Sequence, residues 1–178
     1  MSWNMETERY SVRLPVSDTD GPALLDLLGS SAISAHIPRA AMSTENQADD
    51  ELRRMAMRFE GREAAFWLIE DKTTQQVIAR IGIQYINWMM LNAQLQWELT
   101  PACDLAALRE VLTPVINYLM NELHLKRLEM RQVHGTDSES LTALGFQFEG
   151  TLPAQAEFNG EDIDLDIYSL LAGEFVAD

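Results

Sequence analysis

The sequence predicts one α/β domain spanning residues 1–178, a mixed central sheet of about seven strands with four helices on its faces. Three observations carry that prediction. The chain has 178 residues, 47% of them apolar, enough for one well-filled core and too few for two. No internal repeat, low-complexity tract or Pro/Gly/Ser-rich linker divides it. Segments of period-two and helical hydrophobicity follow one another as βααβββαβαββ, and parallel neighbours in its second half need a crossover with helices on the sheet faces.

Arg9 to Leu14 reads as a short strand closed by Pro15. Ser17 or Asp18 can cap a helix through Ala23, Leu24, Leu27 and Leu28 that stops at Gly29. After an irregular stretch around Ile37-Pro38, Thr44 precedes a segment whose Leu52, Met55, Ala56 and Phe59 recur at helical spacing before Gly61. Three strand-like runs follow, Ala64 to Glu70, Val77 to Asn87 and Asn92 to Leu99, forming an antiparallel meander. A helical pattern covers Leu105 to Leu123, then come a strand from Arg127 to Val133 and a short helix around Ser138 to Leu144. Strands Phe146 to Phe158 and Ile163 to Leu171 close the order, with the hairpin signal Asn159-Gly160 between them.

Composition narrows the function classes. A formal net charge of -15 and a pI near 4.4 oppose binding to a phosphate backbone, so nucleic acid is not an expected partner. The same charge suits either attraction of a cationic amine or basic polypeptide, or plain solubility. Cys103 has no second cysteine to pair with, and His36, His124 and His134 are not at metal-ligand spacings, so no metal is expected. Neither a signal-peptide core nor a membrane-spanning apolar run is visible, and the expected location is cytoplasmic.

The last third of the chain carries a family likeness. Leu144-Gly145-Phe146-Gln147-Phe148-Glu149-Gly150-Thr151-Leu152, then Phe158-Asn159-Gly160-Glu161-Asp162-Ile163-Asp164 and Tyr168-Ser169-Leu170-Leu171, closely resembles the ribosomal-protein N-terminal acetyltransferase branch of the GNAT superfamily. Trp97-Glu98-Leu99-Thr100-Pro101 resembles the end of that family's fourth strand, and Leu123 to Glu129 its join into the fifth. The resemblance implies the GNAT fold, acetyl-CoA as cosubstrate and a primary amine as acceptor.

It also implies a site. The family holds the acetyl-CoA pyrophosphate on backbone amides of a glycine-containing loop and helix start, which here corresponds to Cys103, Asp104, Leu105, Ala106, Ala107 and Leu108. Ala107 is an accepted substitute, but Leu105 stands where glycine is usual, and Asp104 where a basic or amide residue is usual. A carboxylate about 5 Å from a phosphate costs on the order of 3 kcal/mol at an effective dielectric near 20, before screening. Pro114 either kinks the helix after Leu105 or, with Thr113 as its cap, begins a later one. His134 stands at the position of a cofactor-side asparagine and Asp137 at that of a serine, with Ser138 and Ser140 nearby. His134 then reads as a replacement polar contact, a general base or a solvated loop histidine.

For chemistry, the resemblance implies that pantetheine pairs with the strand edge at Leu99 and Thr100, and that an amide near Leu99 polarises the thioester carbonyl. Glu98 and Glu157 are the candidate bases, Glu157 reaching the matching face only through a bulge. Tyr168, Ser138 or Ser140 is the candidate acid for the departing sulfur, and Cys103 reads as a lone thiol. The functional reading is an N-acetyltransferase acting by direct attack on a protein N-terminus or small amine; the alternative is a noncatalytic relative with the same fold.

Overall fold

The computed structural model describes residues 2–178. Its strands are β1 (Met5–Glu6), β2 (Tyr10–Arg13), β3 (Ser34–Ala35), β4 (Ala65–Asp71), β5 (Val77–Asn87), β6 (Asn92–Leu99), β7 (Arg127–Val133), β8 (Gln147–Phe158) and β9 (Glu161–Leu171). The α-helices are α1 (Gly21–Gly29), α2 (Glu45–Glu60), α3 (Leu105–Asn117) and α4 (Glu139–Ala143), and a π-helical turn, Tyr118–Glu122, extends α3. The sheet thus has nine strands where about seven were expected. The two extra ones, β1 and β3, are two residues each, too short to leave a period in the sequence.

The sheet runs β1-β2-β4-β5-β6-β7-β9-β8, with β3 paired to β6 outside that path. All pairs are antiparallel except β6 with β7, the pair joined through α3. Alternation sorts the core into two layers. Along β4, Phe66 and Leu68 pack with Leu24, Leu27 and Leu28 of α1 and Leu52 and Met55 of α2, while Trp67 and Ile69 join Leu108, Val111, Leu112 and Val115 of α3. Gly82 on β5 lets Phe66 lie across the strand, since a Cβ there would sit 2.4 Å from its ring.

Local signals set the helix ends. Thr44 closes a capping box on α2: its hydroxyl accepts from Gln47 N at 3.2 Å, and Gln47 Oε1 accepts from Thr44 N at 3.2 Å. The first helix starts later than Ser17 or Asp18 would place it, at Gly21. The preceding Asp20 does not cap it, because its carboxylate takes Arg13 at 2.7 and 2.8 Å and the Val16 amide at 2.6 Å. In α3 the open alternative at Pro114 resolves in favour of the early start. The helix begins at Leu105 and runs through Pro114, so its N-terminus points where the loop after β6 delivers it.

The feature that builds the site is the divergence of β6 and β7. They pair only over Asn92–Gln94 with Arg127–Glu129, and beyond that their facing edges part. The chain between α1 and α2 enters the gap. Ser34 and Ala35 pair with Leu99 and Glu98 of β6, and the Val133 amide of β7 donates to the His36 carbonyl at 3.1 Å. Ser34 to His36 therefore form a strap between the splayed strands.

Candidate active site

A cavity of about 390 Å³ opens on the α3 side of the splay, lined by Ser34 and His36 of the strap, Trp97 and Leu99 of β6, Leu105 of α3 and Ser140 of α4. Leu105 forms part of its wall and leaves the space open. A smaller cavity of about 70 Å³ lies on the other side of the strap, lined by the polar side chains of Gln84, Gln94, Gln96, Glu98 and Arg131. The pair forms two chambers separated by three residues of the chain.

The start of α3 presents amides to the larger chamber. Asp104 is its N-cap, and Asp104 Oδ1 accepts the Ala107 amide at 2.8 Å. The Cys103 amide is bonded to Thr100 O at 3.0 Å and the Leu108 amide to Asp104 O at 2.8 Å. Among the described residues nothing takes up the amides of Leu105 and Ala106. Two free donors and a helix dipole remain for an anion, beside a carboxylate that already occupies one slot. Asp104 thus has a positive structural reason to be there.

The edge of β6 is committed differently from the family pattern. Thr100 N donates to Ile78 O at 3.0 Å, and its hydroxyl to the same oxygen at 2.6 Å, so Thr100 faces β5. Amides alternate along a strand, and the Leu99 amide therefore faces the splay, where Ser34 pairs with it. A ligand lying along β6 has to displace Ser34.

Glu98 is buried in an ion network. Arg80, 2% exposed, reaches Glu98 Oε1 at 2.7 Å and Oε2 at 3.0 Å and Glu51 at 2.8 Å; Arg39 reaches Glu98 Oε1 at 3.2 Å. Burial alone would raise the carboxyl pKa of Glu51, but the Arg80 hydrogen bond and charge outweigh it and hold it low. Cys103 lies buried in the chamber wall, and burial pushes its thiol up to about 12.

Of the remaining expected residues, Asp137 and Ser140 line the larger chamber and the others lie apart from both. His134 is exposed at the end of β7, with Nδ1 2.8 Å from Asp166 Oδ1, and that hydrogen bond raises its pKa above the ordinary value. Asp166 also accepts from Thr151 Oγ1 at 2.6 Å. A register shift between Leu152 and Ala156 supplies the bulge that Glu157 needed, yet Glu157 stays exposed on edge strand β8. Tyr168 is buried on β9 against Phe148, ring centroids 5.5 Å apart. Ser138 precedes α4 and does not line either chamber, whereas Ser140 lines the larger one.

Sequence reasoning missed the strap and Gln132, Thr136 and Leu141, which complete the larger chamber. The available signal was slight: Pro38 biases Ile37 away from helix, marking extended chain beside His36.

Comparison with known proteins agrees with this architecture. A family model described as an acetyltransferase (GNAT) domain matches residues 11–142. A protein of Bacillus subtilis (strain 168) described as an uncharacterized N-acetyltransferase, YoaA, is 26% identical over 172 residues, covering 94% of this chain and 96% of that one. The ribosomal-protein-S5-alanine acetyltransferase of Vibrio fischeri superposes with a TM-score of 0.81 at 18% identity, over 98% of this chain and all (100%) of its own. The microcin C7 self-immunity acetyltransferase MccE, solved with acetyl-CoA and AMP, superposes with a TM-score of 0.80 at 16% identity, over 92% and 93% of the two chains. The match over most of the chain, on a sheet splayed at β6 and β7, makes this protein a member of the acetyltransferase (GNAT) domain family.

Proposed function

We propose that the protein transfers the acetyl group of acetyl-CoA to a primary amine, a protein N-terminus or a small amine, by direct attack across the β6–β7 splay. One observation carries this reading: the two chambers meet at the splay, where Leu105, whose amide is free like that of the adjoining Ala106, lines the larger. The residues present fit the cosubstrate there, where these amides would hold its pyrophosphate. Along β6 they fit once Ser34 has moved from Leu99, with Ala35 and His36 still held at Glu98 and Val133. When bound, the thioester supplies an activated acyl group; the protein orients the amine, excludes water and moves one proton.

Glu98, locked by two arginines, holds the floor of the smaller chamber rather than exchanging protons. Its neutralisation also means that the net charge of -15 is not focused at the acceptor side. Among the described residues no helix is long and apolar enough to cross a membrane. The net charge further supports a protein that does not bind nucleic acid.

Calorimetric titration with acetyl-CoA and CoA tests the reading. Binding tighter than roughly 100 μM, about -5.5 kcal/mol, is expected. No heat at millimolar ligand would leave a noncatalytic relative with the same fold.

A further inference from the structure

His36 stands where the two chambers meet. They share Ala35, His36 and Trp97 and no other residue. Of these, only His36 can both accept and donate a proton near neutral pH, since the indole N–H is a donor alone. The ring is fixed in place. Ala35 pairs with Glu98, the His36 carbonyl accepts the Val133 amide at 3.1 Å, and the imidazole meets Trp97 edge to face at 4.7 Å. Part of the residue reaches solvent, but Nε2 is buried and, among the described residues, no group meets it with hydrogen-bond geometry, although the Gln132 side chain lies near the ring. A buried polar atom without a partner calls for an explanation, and a ligand that completes it is one.

The other groups at the chambers that exchange protons are engaged elsewhere. Glu98 is paired with Arg80 and Arg39, and Asp137 Oδ1 accepts the Glu139 amide at 2.9 Å at the start of α4. The Cys103 thiol is buried. We propose that His36 carries the proton from the acceptor amine in the smaller chamber to the departing sulfur in the larger one.

This role rests on the amine-acetylation reading and gives it a residue. His36 Nε2 takes the proton that the amine nitrogen sheds as its bond to the acyl carbon forms. It then gives that proton to the sulfur as the carbon–sulfur bond breaks. Nitrogen loses one proton, sulfur gains one, and the imidazole ends as it began. Burial lowers the His36 pKa to about 4, against the opposing pull of the Glu98 charge and Gln132, so the ring is neutral and ready to accept at pH 7. A protonated His36 in that setting is a strong acid and passes its proton on. The charged groups around the two chambers are Glu98 on β6, with its partners Arg80 on β5 and Arg39 beyond the strap, Arg131 on β7, and Asp137 before α4.

The test uses the full chain with His36→Gln, His36→Asn and His36→Ala. CoA binding is read by calorimetry, and thiol release from acetyl-CoA is followed with a short peptide bearing a free N-terminus and, separately, with spermidine. The glutamine or asparagine variant should lose about 100-fold or more in kcat. Its CoA affinity should stay within about threefold of wild type, and added imidazole should restore turnover to His36→Ala. A variant keeping more than a third of wild-type kcat overturns the proposal, as does an activity loss that tracks a loss of CoA binding. Wild-type protein that neither binds CoA nor turns over either amine overturns the amine-acetylation reading as well. Active wild type beside an equally active variant overturns only the role of His36.

Discussion

Replacing Asp104 by asparagine should tighten CoA binding about tenfold. Asp104 Oδ1 lies 2.8 Å from the Ala107 amide, directly beside the free amides of Leu105 and Ala106. A phosphate oxygen on those amides would stand about 5 Å from the carboxylate, a repulsion of roughly 3 kcal/mol at an effective dielectric of 20. Asp104 is exposed, so water and salt reduce this to about 1.5 kcal/mol, or about tenfold in affinity. Asparagine caps helices about as well as aspartate, so α3 should keep its start and the thermal midpoint should barely move. Calorimetry with CoA and with pantetheine, which lacks the pyrophosphate, separates the charge effect from any change in chamber shape. The gain should appear for CoA alone and shrink as salt is raised. Unchanged or weaker CoA binding by Asp104→Asn at low salt, with the fold intact, would refute the assignment of the α3 amides to the pyrophosphate.

Three further outcomes follow from the buried and titrating groups. Glu98→Gln leaves Arg80, 2% exposed, with Glu51 as its one remaining carboxylate; urea unfolding should show a loss of about 3 kcal/mol, and a loss under 1 kcal/mol would contradict the network. His36 titrates near 6.5 when unfolded and about 4 when folded, so the native state binds fewer protons. Its contribution is complete above pH 6.5 and is lost, by up to about 3 kcal/mol, as pH falls through 4; wild type should therefore lose more stability than His36→Gln between pH 7 and 4.5. His134 should titrate above the ordinary histidine value by NMR, and Asp166→Asn should bring it back down, because the Asp166 hydrogen bond favours the imidazolium.

Much of the fold was legible because its elements carry their own periods. Val77–Asn87 and Asn92–Leu99 appear with the expected bounds, and the Thr44 cap lies where a polar residue precedes helical spacing. Of the residues read from the sequence as the site, Leu99, Thr100, Cys103, Leu105, Leu108 and Ser140 line the larger chamber and Glu98 the smaller. Asp104 stood out as an anomaly against the family pattern; the hydrogen bond that explains it is local, three residues along the chain. The strap left no such mark. Ser34 meets Leu99 and His36 meets Val133 across long stretches of sequence, and a two-residue strand has no alternation to detect. Glu98 was a plausible base by position, and only the packing of Arg80 and Arg39 against it shows that both of its oxygens are hydrogen-bonded to guanidinium groups.

Ser34 to His36 already satisfy backbone groups at Glu98, Leu99 and Val133, so in the resting protein the parted ends of β6 and β7 are covered at those positions. Any molecule that lies along β6 competes with a covalently tethered rival whose effective concentration never falls. If Ser34 is lifted from Leu99 in about one molecule in a hundred, apparent affinity is about a hundredfold weaker than intrinsic affinity. An acceptor or partner that draws Ser34 off Leu99, leaving His36 on Val133, would then make the other substrate bind more tightly. Ordered, cooperative substrate entry would be built into the chain without a second subunit.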